Sequence, residues 1–218
     1  MSWTVAERSA AADAVLTRAP VLPVLAIEHL EDAVPLARAL VDGGLPVLEV
    51  TLRTAAALPA IAAIAAAVPQ ARVGAGTVLD ADQLDAVARA GGAFAIAPGC
   101  TPTLYAAAAR SPLPFLPAVA SASEIMQGLE QGHRRFKFFP AAAAGGVAAL
   151  KAFAGPFADV RFCPTGGIDA ASARDYLALP NVLTVGGSWM VPAAVLRARD
   201  FAQIARLAAD CARLRDGG

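Results

Sequence analysis

Lysine is almost missing from this 218-residue sequence: of eighteen basic residues, sixteen are arginine and only Lys137 and Lys151 are lysine. Surface positive charge is therefore written as arginine, and a retained lysine is a candidate for work that needs an amine, because arginine does not deprotonate. Net charge is also missing. Eighteen acidic residues balance the basic ones, which excludes the electrostatic footprint of a nucleic-acid or anionic-membrane binder. The three cysteines, Cys100, Cys163 and Cys211, are odd in number and far apart, so they offer neither a disulfide framework nor metal-ligand spacing. No metal or cofactor motif is visible. The alanine-rich run 55–70 is too short to span a bilayer and contains Pro59 and Pro69. Glu7, Arg8 and Asp13 interrupt any apolar signal core near the N-terminus. The expectation is a cytoplasmic protein with reduced thiols.

What the sequence does have is a succession of short apolar runs separated by amphipathic stretches. Strands are expected over 21–27, 46–52, 72–76, 94–97, 114–119, 136–139, 161–164 and 182–185. Helices are expected over 30–42, 54–68, 80–90, 102–110, 121–131, 146–154, 169–177 and 201–215, with a further N-terminal helix over 4–18. Thr54, Asp80, Ser121 and Asp169 stand where N-caps belong, and Gly43, Gly91 and Gly132 stand near helix ends. Pro59 requires the second of these helices either to begin after residue 54 or to kink. Eight βα units without a linker predict one α/β domain over residues 1–218. A (β/α)8 TIM barrel with an additional N-terminal helix is favoured over an open doubly wound sheet.

Polar residues inside such strands carry the chemistry. In "PVLEVTLRT" the residues Glu49, Thr51 and Arg53 alternate onto one face. Glu49 is the only acidic residue within any expected strand. In "FKFFP" Lys137 and Phe139 share one face, Phe136 and Phe138 the other. An inward Lys137 needs a carboxylate from another strand, since buried charges are rare unless paired or functional. Withdrawn from water, such an amine can act as a nucleophile toward a carbonyl, with Glu49 as acid/base. The bland alternative is an ion pair that merely fills the barrel, although such pairs seldom stabilise a fold better than apolar filling.

Two glycine pairs, in "PTGGID" and "VGGSW", follow the seventh and eighth strands, where barrels often bind phosphate. Backbone N–H groups there can approach an anion, and Ser188 adds a hydroxyl. In "VGAGTV", Gly76 and Thr77 fall at the mouth, with Thr77 placed to hold a carboxylate beside Arg53. Pro98, in "APGCTP", would wall the pocket. Cys163 reads as core filler, His133 as a residue of the opposite end, His29 as an exposed helix-start residue and Lys151 as a solvated one.

"LEVTLRT", "GAGTVL", "FKFFPA", "RFCPTGGI" and "GGSWMVP", in this order, resemble the bacterial 2-keto-3-deoxy-6-phosphogluconate aldolases, the KDPG/KHG family of class I aldolases. The likeness runs from "PVLPVLAI" to the last strand. It implies a barrel assembled as a homotrimer, Lys137 as the Schiff-base lysine and Glu49 as general acid/base. It implies Arg53 and Thr77 at the substrate carboxylate, Pro98, Phe139 and Thr165 in the pocket, and Gly166, Gly167, Gly187 and Ser188 at the phosphate. The implied partners are a phosphorylated 2-keto acid and pyruvate, with no cofactor and no metal. Two stretches depart from the family. "AAAGG" follows "FFPA" where a glutamate and an asparagine are common, and "LPAVAS" replaces a "PGIST"-like run. These bear on substrate preference and rate more than on reaction type. The alternatives are the same chemistry on 4-hydroxy-2-oxoglutarate or on the galactonate epimer, a metal-dependent pyruvate aldolase, and a barrel that only binds a phosphorylated metabolite.

Overall fold

The protein, described over residues 3–215 by a computed structural model, alternates strands and helices as its apolar periodicity predicts; residues 1, 2 and 216–218 of the expected 1–218 unit lie outside the described residues. Helix α1 (Val5–Leu16) comes first. There follow β1 (Val21–Leu25), α2 (Leu30–Asp42), β2 (Val47–Thr51), α3 (Ala57–Ala67), β3 (Arg72–Gly76), α4 (Ala81–Arg89), β4 (Ala95–Ile96) and α5 (Pro102–Arg110). The second half runs β5 (Phe115–Leu116), β6 (Ala118–Val119), α6 (Ala122–Glu130), β7 (Arg135–Phe138), α7 (Gly146–Ala154), β8 (Arg161–Pro164), α8 (Ala173–Leu177), β9 (Val185–Gly187), α9 (Ala193–Arg197) and α10 (Phe201–Ala212).

Of the four expected N-caps, two act as caps and two do not. Asp80 caps α4, and Ser121 caps α6 in a reciprocal box with Glu124. Thr54 does not cap α3; its hydroxyl donates to the Ile27 carbonyl at 2.5 Å, and the helix begins at Ala57. That late start puts Pro59 in the first turn, where a missing N–H goes unnoticed. Asp169 holds a turn by accepting from the Ser172 N–H, and α8 begins only at Ala173.

All paired strands are parallel. They form a six-stranded sheet in the order β5-β4-β3-β2-β1-β9 and a three-stranded sheet β6-β7-β8. The expected eight-stranded barrel ladder is thus not continuous, and the sheet is open. The expected strand over 114–119 breaks at Pro117, which cannot donate to a ladder. Between the β8 region and the segment that leads into β9, the only ladder contacts among the described residues are isolated parallel bridges, Phe162 with Val182 and Thr165 with Gly186. The last strand lies later than expected, since Gly186 and Gly187 pair with Leu22 and Pro23.

The strands have two apolar faces, as parallel strands buried on both sides should. Val21, Leu48, Val50, Phe136, Phe138 and Phe162 belong to the large core shared with the helices. Leu22, Val47, Ile96, Leu116 and Cys163, of opposite parity, form a smaller cluster with Val15 and Leu16 of α1. Asp13 of α1 reaches Arg135, the first residue of β7, so α1 covers the N-terminal ends of the strands. Polar residues of the same inward parity nearer the C-terminal ends form the site.

Candidate active site

Strand parity places Glu49 and Lys137 on the face opposite the helix-packed core, and the two side chains meet. Lys137 Nζ donates to Glu49 Oε1 at 2.7 Å. Both side chains are almost fully buried, 7% exposed for Lys137 and 1% for Glu49. The partners come from β7 and β2, which lie in different sheets. Phe136 and Phe138 point the other way, Phe138 into edge contacts with Phe153 and Phe162 and Phe136 into a tilted contact with Phe162. Phe139 lies on the lysine's side, its ring centroid 5.5 Å from Nζ. One acceptor of the pair is left over: Glu49 Oε2 is buried and has no hydrogen-bond partner among the described residues. An unpaired buried carboxylate oxygen is costly in a purely structural pair. It is what an acid/base group needs in order to take a proton from a bound hydroxyl or water.

The other predicted residues gather beyond the strand ends. Arg53 Nε donates to Thr77 Oγ1 at 3.2 Å, which joins the ends of β2 and β3. Thr77 takes a left-handed backbone, φ 60°, uncommon for a β-branched residue; such local strain aims a side chain that would otherwise point elsewhere. The bridge between Thr165 and Gly186 sets the two glycine turns side by side. Gly166 and Gly167 have φ of 103° and 73°, so only glycine serves there without strain. A Cβ at Gly167 would also fall 2.7 Å from that of Ala142. Pro98 follows β4 and is half-buried, and Ser188 is exposed just past β9.

A cavity of about 490 Å³ shares Thr51, Arg53 and Ser188 with this mouth. It extends over β1 toward α2 and α9, lined there by Asp32, Leu36, Arg197 and Arg199, and does not include Lys137 or Glu49. The Lys137–Glu49 pair therefore lies beside the cavity rather than at its floor. Sequence reading put Thr51 on the face of Glu49 without giving it a role; its hydroxyl donates to the Leu25 carbonyl at 2.9 Å and ties β2 to β1 below the mouth. Its parity with Glu49 was the available signal. Cys163 neighbours Lys137 in register, and burial pushes its thiol up to about 12, in keeping with core filler. His29 is exposed at the start of α2, and Lys151 is exposed on α7. His133 lies before β7, at the opposite end from the mouth, and is buried.

The family model described as "KDPG and KHG aldolase" matches residues 12–207. The chain belongs to the KDPG and KHG aldolase family. It is 56% identical over 197 residues to the KHG/KDPG aldolase of Escherichia coli K12, covering 90% of this chain and 92% of that protein. It is 55% identical to the 2-dehydro-3-deoxy-phosphogluconate aldolase of Dickeya dadantii, with the same coverage. Among solved structures, the KDPG aldolase of Legionella pneumophila, with pyruvate captured as a covalent carbinolamine, superposes with a TM-score of 0.90. The two are 48% identical over 92% of this chain and 97% of that one.

Proposed function

We propose that this KDPG/KHG family member is a Schiff-base aldolase that cleaves 2-keto-3-deoxy-6-phosphogluconate to pyruvate and glyceraldehyde 3-phosphate. The observation that carries the reading is the buried Lys137–Glu49 contact with its second carboxylate oxygen unpartnered. Lys137 Nζ attacks the C2 ketone and forms a carbinolamine. Glu49 relays protons as water departs and the protonated imine forms. Oε2 then accepts the C4 hydroxyl proton. The C3–C4 bond breaks, its electron pair passes into the iminium to give an enamine, and the aldehyde leaves. Protonation at C3 and hydrolysis release pyruvate and restore the amine. The iminium supplies the electron sink for this step.

In this reading Arg53 and Thr77 hold the substrate carboxylate, and Pro98, Phe139 and Thr165 shape the pocket. Gly166, Gly167, Gly187 and Ser188 offer backbone donors and a hydroxyl to the phosphate. We read the two sheets as the wall of a (β/α)8 barrel, one domain whose N-terminal end α1 closes, assembled as a cytoplasmic homotrimer. The same chemistry on 4-hydroxy-2-oxoglutarate is favoured only if the phosphate-side turns prove dispensable; kcat/KM on phosphorylated and unphosphorylated substrates separates the two. The mechanism is tested by borohydride reduction in the presence of pyruvate, followed by mass mapping. The adduct is expected on Lys137. Because Lys151 is the only other lysine, a label there, or none on either, overturns the reading.

A further inference from the structure

A carboxylate that is to hold an amine at 2.7 Å and keep one oxygen free must have somewhere to lie. Glu49 lies against the last residue of β3. Thr51 and Gly76 are paired in register, so Gly76 sits one step toward the mouth from Gly74, the neighbour of Glu49, on the same inward face. A Cβ built on Gly76 would fall 2.1 Å from Glu49 Oε1, 2.7 Å from Cδ and 2.7 Å from Cγ. These separations are far inside van der Waals contact, and they involve the Cγ, Cδ and Oε1 atoms that carry the carboxylate. Gly76 carries no positive φ, so backbone conformation does not require glycine here. The missing side chain is required by the space Glu49 occupies.

We propose that Gly76 is a positioning residue for the reaction: its bare Cα is the berth that keeps the Glu49 carboxylate on Lys137. This rests on the reading of Glu49 and Lys137 given above. The colliding atoms are the outer part of a flexible side chain, not backbone. A methyl at position 76 therefore swings Glu49 off the amine and leaves the strand in place. Gly74 differs, since a Cβ there would meet the Phe94 carbonyl oxygen at 2.5 Å as well as the Phe94 ring; its replacement disturbs β3 against β4.

The test is a double-mutant cycle of Gly76→Ala and Glu49→Ala, read as kcat for cleavage, with thermal unfolding and a crystal structure of Gly76→Ala. In the parent, Gly76→Ala is expected to lower kcat by about 100-fold or more while the protein stays folded. In the Glu49→Ala background the same change is expected to alter kcat by less than about twofold. An equal loss in both backgrounds overturns the proposal and assigns the effect to the backbone; where Glu49→Ala lowers kcat, a Gly76→Ala enzyme of undiminished kcat overturns it too. If Glu49→Ala itself keeps full kcat, the acid/base reading of Glu49 is what fails. The crystal structure then decides the berth separately: a carboxylate still on Lys137 in Gly76→Ala overturns it, and a displaced one upholds it. A Gly76→Ala protein too unstable to purify also overturns it, because the proposal requires the strand to accept the methyl.

Discussion

Two basic residues of β7, two positions apart on one face, meet carboxylates in opposite ways. At the N-terminal end Arg135 grips Asp13 of α1 with two parallel bonds, Nε to Oδ1 at 2.5 Å and Nη2 to Oδ2 at 2.8 Å. Its Nη1 also donates to the carbonyls of Arg134 and Asp159. The side chains are partly wet, 18% and 34% exposed. Toward the C-terminal end Lys137 makes one bond to Glu49 in a dry site and leaves Oε2 without a partner among the described residues. The first pair is saturated and fastens a helix. The second is unsaturated and buried, a poor way to stabilise a fold and a good way to hold a nucleophile beside a base. Arginine serves at the end where a fork suffices, and the proposed reaction calls at the other end for a free amine, which arginine cannot supply.

Exchanging the two residue types is the strongest way to break this comparison. Lys137→Arg keeps a cation opposite Glu49 but cannot form an imine. We expect kcat to fall by about 10⁴-fold or more, with no borohydride adduct on pyruvate and with the fold retained by circular dichroism. Arg135→Lys should leave kcat within about twofold and weaken only the hold on α1. Comparable kcat losses in the two variants would show that the ends of β7 do not divide structure from chemistry.

A smaller effect sharpens the comparison from the N-terminal end, where a titratable group is buried away from the mouth. His133 is 3% exposed, with ring contacts to Tyr105 and Phe115, and Arg8 Nη1 of α1 faces its Nε2 at 3.5 Å. Burial first, then the charges of Arg8 and Arg134, lower its pKa from 6.5 to about 3. The unfolded chain therefore binds a proton that the folded protein refuses between those values. Stability is unaffected above about pH 6.5 and is lost as pH falls from there toward 3. We expect His133→Phe to be more stable than the parent by on the order of a few kcal/mol near pH 4 and to differ little at pH 8. Urea midpoints across this range measure it. An unchanged acid limb would mean that His133 does not set it.

Both ends were partly legible in the sequence, for reasons that differ by residue. Lys137 and Glu49 stood out because period-two parity assigns a face and because charge inside an apolar strand contradicts burial. The site glycines were legible as turns, yet not as strand: glycine is depleted from strands, so β9 was expected to end at 185. In the fold Gly186 and Gly187 join the ladder, and side chains occupy the space where a Cβ of theirs would lie. A Cβ at Gly186 would strike Thr165 Oγ1 at 2.2 Å, and one at Gly187 the Trp189 ring. Helix α9 was missed because its five residues follow Pro192 with no side-chain cap. The break at Pro117 was written in the sequence, but an apolar run on both sides masked it. Clearance of the kind Gly76 gives Glu49 has no local signature, since it is a relation between two strands.

The smallest predicted change removes the fork itself. Asp13→Asn leaves one acceptor of similar shape and takes away the charge that Arg135 grips. The pair is partly exposed, so its worth is that of a screened surface bridge with favourable bidentate geometry, about 1 kcal/mol. Arg135 keeps its two carbonyl partners and is not left stranded. For a chain of this size the expected fall in Tm is about 2–4 °C, with kcat and KM unchanged because Asp13 and the mouth lie at opposite ends of β7. A calorimetric scan with a cleavage assay on the same sample measures both. A Tm loss accompanied by a fall in kcat would mean that the seating of α1 is transmitted along β7 to Lys137, and the two ends would have to be treated as one device.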